Sequence, residues 1–198
     1  MAGTLFAARF AGLWSTVVDE EDARKGLRAA ATAGQFYLPE VTMSTLANSP
    51  RITPFLWFDA NAEEAVDFYL SIFKNSRRLG ELRNTGDAPG PKGCVLTITF
   101  ELDGQRFTAL NGGPAYKFTE AVSFVVRCDS QEEVDGYWSK LTADGSEIAC
   151  GWLKDKFGLC WQIVPARLPE LLRHPRAMQA MMKMKKLDIA ELERAAEG

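Results

Sequence analysis

Residues 52–73, ITPFLWFDANAEEAVDFYLSIF, read as an apolar strand, a polar turn and an amphipathic helix, and the same pattern returns about 70 residues later. Ile52 to Phe58 form the strand, in which Pro54 requires either an edge position or a place before regular pairing begins. Asn61 reads as a helix N-cap with Glu64 as its capping-box partner, and Glu63 and Glu64 suit the positive end of the helix dipole. Ala62, Ala65, Val66, Tyr69 and Phe73 then place one stripe of the helix in a core. In the second copy Val122 to Cys128 is the strand and Ser130 caps with Glu133. Val134, Tyr137, Trp138 and Leu141 form the stripe, and Gly145 ends the helix. A period of this length implies one module used twice.

The segments after each helix complete the module. Arg77 to Arg83 predicts a strand, and residues 85–93 (TGDAPGPKG) a loop. Cys94 to Leu102 alternates apolar with Thr-rich positions, Asp103-Gly104 signals a type I′ turn, and Gln105 to Leu110 returns as the partner strand. Ser146–Cys150, Trp152–Asp155 and Leu159–Val164 are the corresponding short strands of the second copy. The organisation is therefore α+β: a domain over 51–165, with βαβββ modules at about 51–114 and 119–165, and a helical tail over 166–198. Residues 1–50 read as a weakly structured or optional extension, with the Met43 stretch resembling a second start, and match neither a signal peptide nor a transit peptide. In the tail, His174-Pro175 breaks the helical pattern, Asp188 with Glu191 caps a last helix, and Met178, Met181, Met182 and Met184 form a surface for docking on the core or on a second subunit.

Composition narrows the function classes. A net charge of −3 and a pI near 5.4 argue against a nucleic-acid binder, and no run is long and apolar enough for a membrane span. Cys94, Cys128, Cys150 and Cys160 lack metal-type spacing and read as free thiols within strands, which suits a reducing cytoplasm. Neither GxGxxG nor GxxxxGK[ST] occurs, which excludes nicotinamide-cofactor and P-loop chemistry. The single histidine, His174, lies outside both modules, so no Ser-His-Asp or Cys-His arrangement can be assembled inside the domain.

The paired modules, the DFY of Asp67-Phe68-Tyr69, FELDGQRFTALNGG (Phe100 to Gly113) and GWLKDKFGLCWQIVP (Gly151 to Pro165) resemble the PhnB-like branch of the vicinal oxygen chelate superfamily. Glyoxalase I, bleomycin-resistance proteins and extradiol dioxygenases share that superfamily. The resemblance implies a curved mixed sheet half enclosing a cleft, and a homodimer, here expected to use the tail and a sheet edge. Members of this branch often carry the label 3-demethylubiquinone-9 3-methyltransferase. The glycine-free turn Asp59-Ala60-Asn61 does not suit S-adenosylmethionine in the usual manner.

Glyoxalase-like relatives use His and Glu on the first, fourth, fifth and eighth strands to hold a divalent metal. Here the resemblance places Pro54, Ser123 and Gln162 at three of those positions, with Asn111 the nearest polar candidate on the fourth strand, and the expectation is no metal and no cofactor. The expected ligand-binding residues are Gln162, Ser123, Asn111, Cys160, Trp57, Phe100 and Trp152, with core packing the alternative for the aromatics and a bond to neighbouring backbone the alternative for Gln162. Lys154 and Asp155 read as a solvated turn pair. Two functions follow: a binder of a small, partly aromatic molecule in a metal-free cleft, or an enzyme in which Gln162, Ser123 and Cys160 orient a substrate.

Overall fold

The repeat is built as two mixed sheets of four strands each, one per module. The computed structural model describes residues 50–88 and 90–197; the readings made for residues 1–49 lie outside them. In the first module β1 (Phe55–Phe58) leads to α1 (Ala62–Ile72), then β2 (Arg77–Arg83), β3 (Val95–Leu102) and β4 (Gln105–Asn111). The second gives β5 (Ser123–Cys128), α2 (Gln131–Leu141), β6 (Ser146–Glu147), β7 (Trp152–Lys154) and β8 (Cys160–Pro165). Strand orders are β1-β4-β3-β2 and β5-β8-β7-β6, and in each sheet the first strand pairs with the last of its module in parallel. These are the two βαβββ modules of the predicted α+β fold.

Local chemistry accounts for most boundaries. Pro54 stands just before β1, an edge strand, where no ladder donor is needed. Asp103 and Gly104 adopt φ of 44° and 84°, the positive pair that a type I′ turn requires. Ser130 Oγ accepts from Glu133 N at 3.3 Å, so Ser130 is the N-cap of α2, while Glu133 Oε2 reaches back past it to accept from Asp129 N at 2.9 Å. The loop after β2 is held by Asn84, only 2% exposed, whose side chain donates to Ala88 O and Gly90 O and accepts from Gly86 N and Ala88 N. Cys94 and Cys150 fall outside the strands expected to contain them. Cys150 turns the chain with φ 58° immediately before Gly151.

Both modules turn one face of their sheet, and the helix lying on it, into a single core. Tyr69 from α1 packs against Phe100 of β3 and Trp161 of β8, Phe73 against Tyr137 of α2, and Phe107 of β4 against Phe124 of β5. Fully buried Phe100, Ile98 and Ile163 each contribute about 1.5–3 kcal/mol by leaving water. At the centre lies Asp155, 3% exposed rather than in a solvated turn. Its Oδ2 accepts from Tyr69 Oη at 2.8 Å and Trp161 Nε1 at 2.9 Å; its Oδ1 accepts from the Phe157 and Leu159 amides. The turn around Gly158 bends back on itself, so the carboxylate beside Lys154 points inward while Lys154 pairs outward with Glu120.

The tail folds back on the second module. It forms α3 (Leu168–Leu171), α4 (Pro175–Met181) and α5 (Ile189–Glu197), burying Leu171, Ala177, Leu187 and Leu192. Glu191 N donates to Asp188 Oδ1 at 2.8 Å, the predicted cap, and Gln131 of α2 ties down Leu187 O and Ile189 N. Met181 and Met184 pack into this small cluster, while Met178 and Met182 are exposed.

Burial raises the Asp155 carboxyl above the ordinary aspartate range, against the opposing pull of its Trp161, Tyr69, Phe157 and Leu159 donors. Between the unfolded and the raised native value the native state holds more protons, so stability falls as pH rises. In urea unfolding, the stability of the wild type relative to Asp155→Asn is expected to decline with rising pH across that window and to level off above it. A rise across the window would show that the donors outweigh burial.

Candidate functional site

With the inner faces packed together, the outer face of each sheet points away from the core. On the first sheet one cross-strand row carries Leu82, Thr97, Leu110 and Trp57, and the next Gly80, Thr99, Thr108 and Phe55. At one end Glu101 pairs with Arg77 at 3.0 Å and with Arg106 at 3.9 Å. Trp57 is half-buried and donates from Nε1 to Gly113 O at 2.8 Å, and its ring sits edge-on to Tyr116. A Cβ on Gly112 would lie 2.3 Å from that ring, so glycine is required there for close approach.

The outer face of the second sheet brings together four of the residues expected from sequence. Val125, Gln162 and Trp152 occupy one cross-strand row, and Ser123, Cys160 and Lys154 the next. Gln162 Nε2 donates to Ser123 Oγ at 2.9 Å, and no other hydrogen bond to either side chain is found among the described residues. Cys160 is fully buried and its thiol is pushed up by desolvation, so it stays protonated and is a poor nucleophile. Lys154 is raised by its hydrogen bond to Glu120, and Arg127 pairs with Asp129, so each cation near this face already holds a carboxylate.

Two expected site residues serve the fold instead. Phe100 is wholly buried, stacked between Tyr69 and Phe107, because it sits on the inward side of the β3 alternation. Asn111 Oδ1 accepts from Ala62 N at 2.9 Å and its Nδ2 donates to Val95 O at 2.9 Å. It thus caps α1 from the end of β4, whereas Asn61 makes no side-chain cap and Glu64 pairs with Lys156 instead. Trp57 lies on the other sheet, away from Gln162. Val125, 60% exposed beside Gln162, shares the face of Ser123 by strand alternation, but an apolar side chain carries no chemical signal of a ligand contact.

Comparison with known proteins identifies the lineage. The sequence profile described as 3-demethylubiquinone-9 3-methyltransferase matches residues 50–164, more than half of the 198. The chain belongs to this family. A PhnB protein of Bacillus cereus bearing the same methyltransferase description is 36% identical, with a TM-score of 0.55 over 59% of this chain and 100% of its own. A Pseudomonas aeruginosa protein is 23% identical, with a TM-score of 0.48 over 59% of this chain and 98% of its own. The fosfomycin resistance protein FosX of Listeria monocytogenes is 18% identical, with a TM-score of 0.42 over 62% and 97%. No curated protein matches the chain. The family is PhnB-like and falls within the vicinal oxygen chelate superfamily.

Neither group suggested by that ancestry fits the residues present. At the positions of the metal ligands Pro54 has no side-chain donor atom, Asn111 is committed to Ala62 and Val95, and Ser123 and Gln162 bond to each other. No cluster of three or more His, Cys, Asp or Glu suited to a cation occurs among the described residues. For S-adenosylmethionine, the turn from β1 to α1 has no glycine, and the Ala62 amide at the helix start is already taken by Asn111. No helix among the described residues is long and apolar enough to cross a membrane.

Replacing a cap by alanine costs about 0.5–2 kcal/mol. Asn111→Ala is therefore expected to lower stability by about 1–2 kcal/mol in urea denaturation, and Asn61→Ala to leave it within about 0.5 kcal/mol. The reverse order would return the cap to Asn61.

Proposed function

We propose that this PhnB-like protein binds a small, partly aromatic molecule, without a metal, on the outer face of the second sheet. The reading is carried by the Gln162–Ser123 pair, half-buried, bonded to each other and flanked in the sheet by Val125 and Trp152. A few polar groups set in an apolar surface are the usual means of orienting a small ligand. The catalytic alternative, with Gln162, Ser123 and Cys160 orienting a substrate, has less support. None of the three supplies an acid or base near neutral pH, and burial holds the Cys160 thiol protonated.

A homodimer completes this reading. Phe55 is 59% exposed and Leu82 44% on the first outer face, and Val125 60% on the second. A second copy laid with its first sheet over the second sheet of its partner covers all three and encloses Gln162 between two walls. Four free thiols support a reducing compartment such as the cytoplasm for this reading.

Sedimentation velocity at micromolar concentration is expected to give a dimer. In a thermal-shift screen of flat aromatic compounds, ligands are expected to raise the melting temperature equally with and without chelator. Stabilisation that appears only with an added divalent metal would contradict metal-free binding, and a monomer would leave the site open on one chain.

A further inference from the structure

The hydrogen-bonding state of the Gln162–Ser123 pair says what kind of molecule it suits. Gln162 Nε2 donates one proton to Ser123 Oγ, which leaves the Ser123 hydroxyl proton and the second Nε2 proton as donors and Gln162 Oε1 as an acceptor. The flanks of Gln162 in its row are Val125 and Trp152, both apolar and facing the same way. The charged groups around this patch are already neutralised: Lys154 Nζ holds Glu120 at 2.5 Å, and Arg127 holds Asp129 at 2.5 Å. Cys160, between Ser123 and Lys154, is a buried neutral thiol.

We infer that the ligand is uncharged and presents an acceptor and a donor next to each other on a flat ring system, as a primary or cyclic carboxamide does. This rests on the binding reading above. A carboxamide oxygen accepts from the Ser123 hydroxyl while its N–H donates to Gln162 Oε1, so that the hydroxyl proton and the amide oxygen of the pair are both satisfied. A carboxylate has no N–H to give Gln162 Oε1, and an amidinium has no acceptor for the Ser123 hydroxyl proton. Each leaves one mismatched contact and brings a charge to a face whose own charges are paired. The ring lies against Val125 and Trp152, where stacking on the indole adds contact without further polar demand.

The test uses the full-length protein and three compounds sharing one ring system, 2-naphthamide, 2-naphthoate and 2-naphthamidine, titrated by isothermal calorimetry. The amide is expected to bind at least tenfold more tightly than either charged analogue. Gln162→Glu is expected to move the preference to the amidine, since the new carboxylate accepts both of its N–H groups. Ser123→Ala is expected to weaken the amide about tenfold while changing the amidine little, and it decides the matter alone if Gln162→Glu does not fold. Tightest binding of a charged analogue by the wild type, or an unchanged order in both variants, overturns the inference and leaves small-molecule binding standing. Failure of all three compounds to bind overturns both.

Discussion

The buried carboxylate of Asp155 is the point on which the arrangement of this protein turns. Removing a charge from water costs several kcal/mol, and here four donors offset that cost: two amides of its own turn, the indole of Trp161 from the same module, and the phenol of Tyr69 from the other. The same contacts drive the Tyr69 hydroxyl well above its usual range, through burial first and the neighbouring carboxylate second, so it remains a donor at every physiological pH. Because this bond draws α1 of the first module onto β7 and β8 of the second, both sheets present their apolar faces to one core. Their other faces are left outside.

That orientation decides where chemistry is possible. An inward-facing sheet residue is lost to packing, as Phe100 is, and a strand-end amide is drawn into capping, as Asn111 is. What survives on the open face is a neutral pair between apolar neighbours. The family name points to methyl transfer, yet the first strand-to-helix turn has no glycine, and its Ala62 amide is taken by Asn111. Ancestry therefore supplies the scaffold, and on the binding reading proposed above the side chains of the outer face supply the function.

Much of the fold could be read from the chain because its signals are local. Ser130 with Glu133, Asp103-Gly104 and Asp188 before Glu191 each place a boundary through contacts within a few residues, and the structure realises all three. The cap of α1 escaped the same reasoning because its acceptor, Asn111, is 49 residues from the amide it serves. Asp155 escaped it as well. A Lys-Asp dipeptide before a glycine turn has the composition of a solvated loop, and only the tertiary approach of Tyr69, 86 residues away, makes the carboxylate a core group. At the site, strand alternation puts Ser123 with Val125 and Cys160 with Gln162, because a period of two needs no tertiary knowledge, whereas joining them with Trp152 takes the register of β5, β8 and β7.

The union of the two modules through Asp155 is most directly measured by a double-mutant cycle on Tyr69→Phe and Asp155→Asn, with stability determined by urea unfolding. The account predicts a coupling of about 1 kcal/mol or more, since each substitution alone disrupts the same buried bond and the second then has less to remove. Additive effects, within about 0.3 kcal/mol, would show that the Tyr69–Asp155 bond does not hold the modules together.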